Sequence, residues 1–221
     1  MTRISTIWTR ARVAELKQQY EVRKDEIRSR LKEFEKKLRA SEDELLAELC
    51  FCLFTPQSKA VMCDRAMSAL KECGLLLEGS ERQVADKMNG VRFRNQKACY
   101  LVEARSKLRG TGDGLRGRIQ ASAGNTELRE WLVDNIKGLG YKEASHFLRN
   151  IGMGRGLAIL DRHVLKNLAA CGVLDELPAS LSRKKYLEIE TKMKRFCSDV
   201  GIDMEELDLL FWSMETGMVF K

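Results

Sequence analysis

The stretch KGLGYKEASHFLRN, Lys137 to Asn150, sets a lysine, Lys142, one residue inside a helix that a glycine turn introduces. Gly138 and Gly140 flank Leu139, and glycine is the residue that reaches positive φ or lets a foreign backbone approach without a Cβ clash. Such a turn leaves main-chain N–H groups pointing outward. The free N–H groups and positive dipole end of the following helix face the same way, which makes an anion site suited to a phosphate. Leu139 would then plug the space between the two helices, and Lys137, just before the turn, is the candidate phosphate ligand. Lys142 has two uses. Protonated, it is an ordinary solvated cation near a helix end; stripped of its proton by burial or a neighbouring cation, it is a nucleophile. A tight connection between two helices would explain the glycines equally well.

The other chemistry-bearing residues have simpler readings. Asp161, in LAILDRHVL at 157–165, is placed to cap the helix that begins RHVLKNL. His146 and His163 read as packed or hydrogen-bonded helix residues. The seven cysteines, at 50, 52, 63, 73, 99, 171 and 197, lack the spacing of a disulfide framework. Cys50 and Cys52 have no nearby His or second Cys pair to complete a tetrahedral metal site, so they read as buried small hydrophobes. A reduced compartment fits this usage.

The elements that must position these residues are helical. Prolines occur only at 56 and 178, and few stretches alternate as half-buried strands do, so the expected class is all-α. Val13, Leu16, Tyr20, Ile27, Leu31, Phe34 and Leu38 mark one long amphipathic helix with a charged outer face. Ser41 and Glu44 form a capping-box pattern before LLAELCFCLF, which reads as a core helix buried nearly all round. After TPQSKA a helix should carry Val61, Ala66, Met67 and Leu70 inward, and residues 94–108 look helical and basic. RGTGDGLRG at 109–117 is the clearest loop and the expected boundary between two lobes of one 1–221 unit. Thirty-nine Lys and Arg against 32 Asp and Glu give a net charge of +7, the balance of a protein that meets a polyanion. No stretch reaches the roughly 18 apolar residues of a membrane span.

IKGLGYKEA, from Ile136 to Ala144, resembles the hairpin of the helix-hairpin-helix DNA glycosylases, and Asp161 with His163 resembles their second hallmark. The nineteen residues from Lys142 to Asp161 match one helix plus a returning loop. The resemblance implies two helical lobes with the active-site cleft between them. It also implies that Lys142 attacks the deoxyribose C1′ of a flipped nucleotide, with a Schiff base that permits strand cleavage by β-elimination, and that Asp161 stabilises the charge developing on the sugar. His163 would orient Asp161. Only Cys171 and Cys197 follow Asp161, so the four-cysteine cluster of some members cannot form, and no metal or organic cofactor is implied.

ELCFCLFTPQSKA, VRFRNQKA, GYKEASHFLRN, LAILDRHVL and the final FWSMETGMVFK together are similar to the archaeal and thermophilic-bacterial type of 8-oxoguanine DNA glycosylase with AP lyase activity. That likeness implies a duplex carrying an oxidised guanine as partner, with the carboxylate of the terminal Lys221 recognising the N7 hydrogen of the lesion. Phe93 and Trp212 would supply aromatic faces, and Asp208, four residues before Trp212, would reach the base or its sugar. Gln57 would fill the gap left by the flipped base. Core packing explains each aromatic, and a turn explains Gln57, without any of this. A different damaged base, or a non-catalytic duplex-binding protein that uses the hairpin as a clamp, are the competing functions. A monomer free in a prokaryotic cytoplasm, associated with the nucleoid, is expected.

Overall fold

The computed structural model describes residues 7–110 and 112–221. The chain is all-α, with twelve helices and no strand among the described residues. Contacts divide it into two compact units, the described part of Met1–Phe34 with Gly154–Lys221, and Glu35–Met153.

The Glu35–Met153 unit is built around α2 (Glu42–Phe54), in which every residue from Leu45 to Phe54 is buried. Its start is the expected capping box: Ser41 Oγ accepts from the Glu44 amide, and the Glu44 carboxylate accepts from the Ser41 amide. α3 (Ala60–Glu72), α6 (Arg94–Gly110), α7 (Gly114–Ala121) and α9 (Tyr141–Asn150) all pack on α2; α4 (Leu75–Glu78), α5 (Glu81–Lys87) and α8 (Asn125–Asn135) complete the unit. Several polar side chains of this core find buried partners. Glu48 accepts from Lys37 Nζ and, at 2.7 Å, from Asn150 Nδ2. Arg105 caps the carbonyls of Leu76 and Gly79 at 3.0 and 2.8 Å.

Two expectations need correcting. Val61 is 41% exposed: the buried stripe of α3 is Cys63, Ala66, Met67 and Leu70, and a residue two before Cys63 is turned about 200° away from it. The glycine-rich 109–117 stretch is not a lobe boundary. It is the end of α6 and the first turn of α7, with Thr111 outside the described residues, and it lies inside one unit. The Glu42 carboxylate accepts from the Leu115 and Arg116 amides, so α7 is capped by α2 itself. The units part instead after Phe34 and after Met153.

The other unit holds most of α1 (Ile7–Lys37), with α10 (Arg162–Ala170), α11 (Arg183–Val200) and α12 (Met204–Thr216). Leu16, Tyr20 and Ile27 are the buried stripe of α1 here, and α10 and α11 pack on α12. α1 is joined to α12 by a network that runs from the core to the surface: Tyr20 donates to Glu206 Oε2 at 2.6 Å, and the exposed Arg28 donates from Nε to Glu206 Oε1 at 2.8 Å. Burial, then the Glu206 carboxylate, push the Tyr20 phenol up to about 12.

Tyr20→Phe leaves a buried carboxylate short of a donor, and should lower unfolding stability by about 1–3 kcal/mol, or several degrees in Tm. Because the folded pKa is raised, this share of stability is present below the phenol's ordinary value of 10.0 and is lost as pH rises towards about 12. The difference in stability between wild type and Tyr20→Phe, measured by urea unfolding, should therefore shrink over that window.

Candidate active site

The hairpin joins α8 to α9. Ile136 ends α8 in an extended conformation, Gly138 turns with φ +86°, and Leu139 is buried, its amide donating to Ile136 O at 3.1 Å. Gly138 packs on the ring of Tyr100, where a Cβ would sit 2.3 Å from Cδ2. Gly140 is different. Its φ of −91° is open to any residue, and a Cβ there would approach only the Glu143 carboxylate, at 3.2 Å. The turn thus requires one of its two glycines. Lys137 is already engaged, with Nζ 3.0 Å from Glu103 Oε1 and 5.8 Å from the Tyr100 ring centroid. The bond to Glu103 raises the pKa of its ammonium.

Lys142 lies in the first turn of α9, with its side chain 22% exposed. Its Nζ donates to Thr55 Oγ1 at 3.2 Å, and the Thr55 hydroxyl donates to Cys52 O at 2.9 Å. Glu143 Oε1 is 3.7 Å from the same nitrogen. At the other end of α9, Asn150 bonds Glu48, so α9 runs antiparallel along α2 and is pinned two turns apart. This fixes the backbone that carries the amine. The Lys97 ammonium is close enough that Lys142 contributes to lowering its pKa, after the larger effect of burial. Lys142 therefore has the Glu143 carboxylate and the Lys97 ammonium as charged neighbours. Gln57 and Phe93 belong to the same unit and are exposed, both on turns with positive φ. Thr55 and Lys97 were missed from the sequence. Their signal, the end of an apolar helix followed by Pro56 and a lysine on a later helix, is too common to single out.

In the other unit Asp161 is the N-cap of α10, and its Oδ1 accepts from the His163 and Val164 amides, each at 2.8 Å. Among the described residues no hydrogen bond reaches Oδ2, so capping engages one carboxylate oxygen of the two. The His163 main chain, not its imidazole, holds Asp161; the ring faces Arg162 and Glu215 instead. Glu215 was not foreseen. It accepts from Lys166 at 3.0 Å and Asn167 at 3.4 Å, which ties α10 to α12 and depresses the Glu215 carboxyl pKa. After α12, Gly217 takes φ +82° and turns the chain back, so that Phe220 stacks on Trp212 with centroids 6.0 Å apart. Lys221 Nζ lies over Phe220, bringing Trp212 and the terminal residue into one cluster. Asp208 is buried one turn before Trp212. His146, in α9, packs edge-on against Phe51.

Comparison with known proteins identifies the family. Residues 27–202 match the family model of helix-hairpin-helix 8-oxoguanine DNA glycosylases. The chain is 44% identical over 209 residues to an 8-oxoguanine DNA glycosylase/AP lyase of Fusobacterium nucleatum, covering 94% of this chain and 96% of that one. The 8-oxoguanine DNA glycosylase of Thermotoga maritima superposes with a TM-score of 0.86 at 32% identity, over 96% of this chain and 100% of the other. The Methanocaldococcus jannaschii 8-oxoguanine glycosylase/lyase, solved with a 15-mer DNA containing 8-oxoguanine, gives 0.84 at 36% identity, over 94% and 100%. With a matched hairpin, a lysine in its second helix and a likeness that spans nearly the whole chain, this protein belongs to the 8-oxoguanine DNA glycosylase family.

Proposed function

We propose that this chain excises 8-oxoguanine from duplex DNA and nicks the strand, with Lys142 as nucleophile and Asp161 as the carboxylate that assists it. The observation that carries the reading is the setting of Lys142: a largely shielded amine, bonded to Thr55, on the first turn of the hairpin helix. The unprotonated amine attacks C1′ as the bond from C1′ to the base breaks, and the base leaves with a proton. Asp161 stabilises the positive charge that grows on the sugar. The secondary amine then opens the sugar ring to a Schiff base, whose electron demand allows loss of a C2′ proton and departure of the 3′ phosphate. Hydrolysis returns the lysine.

Recognition of the oxidised base is assigned to the C-terminal cluster. The Lys221 carboxylate accepts the N7 hydrogen, which guanine lacks, with Trp212, Phe93 and Asp208 around the base; Gln57 fills the vacated stack. Lys137, Gly138, Leu139 and Gly140 present the phosphate-binding turn. No helix of the described residues is long and apolar enough to cross a membrane. We assign a monomer acting at the nucleoid in the cytoplasm.

Lys142→Gln should abolish both strand cleavage and borohydride trapping while duplex affinity stays close to wild type; trapping equal to wild type would refute the assignment. Gly138→Ala must enter the left-handed region and displace Tyr100, at about 1–2 kcal/mol for the backbone alone. Its affinity for an undamaged duplex should fall, by fluorescence anisotropy, in step with a lower Tm. Residues added beyond Lys221 should slow excision of 8-oxoguanine about tenfold or more by moving the carboxylate, and leave cleavage at a pre-formed abasic site intact. Equal rates for tagged and untagged protein on the lesion would exclude a role for the terminus.

A further inference from the structure

Among the described residues only two that are not glycine have positive φ, Gln57 at 55° and Phe93 at 57°. Each such residue costs of order 1–2 kcal/mol and persists only where its surroundings hold it. Both side chains are exposed, Phe93 by 55%, which is unusual for a phenylalanine with no solubility to gain. What holds these two turns is one buried cation. Lys97, 4% exposed in the first turn of α6, donates to Phe54 O and Pro56 O, each at 2.7 Å, and to Ser58 Oγ at 3.0 Å. These three acceptors use all three ammonium protons, and they surround Gln57 in sequence. Ser58 Oγ also accepts from the Arg92 amide at 3.0 Å, and the Lys97 amide donates to Phe93 O at 3.0 Å. One residue is thus bonded to both strained turns, by its ammonium on one side and its main chain on the other.

A buried charge costs several kcal/mol unless every proton finds an acceptor, and an apolar residue of similar volume usually stabilises a core at least as well. The bonds that compensate Lys97 converge on the two turns that project an amide and a ring into solvent. The geometry points to Lys97 as a positioning residue that sets Gln57 and Phe93 as one fixed pair at the lesion, the amide for entry into the vacated stack and the ring for the face of the flipped base. This rests on the proposed function, since only an enzyme that opens a duplex at a damaged base needs such a pair. Lys97 touches neither the reacting atoms nor the base, so its loss should impair duplex opening more than the chemistry at Lys142.

The test uses the full chain on two substrates under single-turnover conditions: a duplex with 8-oxoguanine opposite cytosine and a neighbouring 2-aminopurine, and a single-stranded oligonucleotide with a pre-formed abasic site, which has no stack to open. Lys97→Met keeps the stem and removes the ammonium. It should slow excision on the duplex about 10- to 100-fold and suppress the 2-aminopurine fluorescence rise, while abasic-strand cleavage, which feels only the loss of the ammonium near Lys142, falls far less. Ser58→Ala, which removes one acceptor and leaves the core filled and the ammonium near Lys142 in place, should slow excision by a smaller factor with abasic-strand cleavage close to wild type, and it decides the matter if Lys97→Met does not fold. Equal slowing of both substrates, or none on either, would overturn the proposal by making Lys97 a structural cap only. A wild-type protein that cleaves the abasic strand but never excises 8-oxoguanine would instead refute the reading on which the proposal rests, and the proposal with it.

Discussion

The last carbonyls of a helix have no helical partner, and in this protein the way those of α2 are satisfied sets the geometry around Lys142. Thr55, at the end of α2, returns its hydroxyl proton to Cys52 O and offers an oxygen lone pair to Lys142. Phe54 O takes a proton from Lys97 and one from the Cys63 thiol. The thiol is pushed up to about 11 by burial, so it remains a neutral donor at physiological pH. A helix end that would otherwise be disordered or solvated becomes a rigid platform for an amine on one side and an exposed turn on the other. Because α2 is also the centre on which α3, α6, α7 and α9 pack, the platform cannot move without the core of its unit moving.

The second unit solves a parallel problem. Its candidate carboxylate, Asp161, is fixed as an N-cap, which orients one oxygen and spares the other. Glu215 then locks α10 to α12, and Glu206 locks α12 to α1 through Tyr20 and Arg28. The long first helix thereby gains a purpose its basic face did not disclose. It is the brace for the helix that bears Asp208 and Trp212 and leads to Phe220 and Lys221.

How legible all this is in the sequence depends on the range of the interaction. The capping box at Ser41, the buried run of α2, the hairpin and the helix after Asp161 are set within four to ten residues, where spacing alone carries the information. The glycine-rich 109–117 stretch misleads because its helices are capped from outside, by a Glu42 carboxylate more than seventy residues away. Gly140 shows a related limit: glycine permits positive φ without requiring it, and Gly138, at +86° against the Tyr100 ring, uses that freedom where Gly140, at −91°, does not. Thr55, Lys97, Glu206 and Glu215 act across 40 to 190 residues, and their residue types are ordinary in helices. Lys142 and Asp161 stand out in the sequence because the motif that singles them out is local, although what holds Lys142 is not.

The measurement that bears most directly on this account is to trap the protein with sodium borohydride on a duplex carrying one 8-oxoguanine, digest the adduct and locate the modified residue by mass spectrometry. The account predicts a reduced sugar adduct on the peptide that contains Lys142 and on no other. An adduct on Lys97, Lys137 or another lysine, or release of the base with no covalent adduct at all, would contradict it.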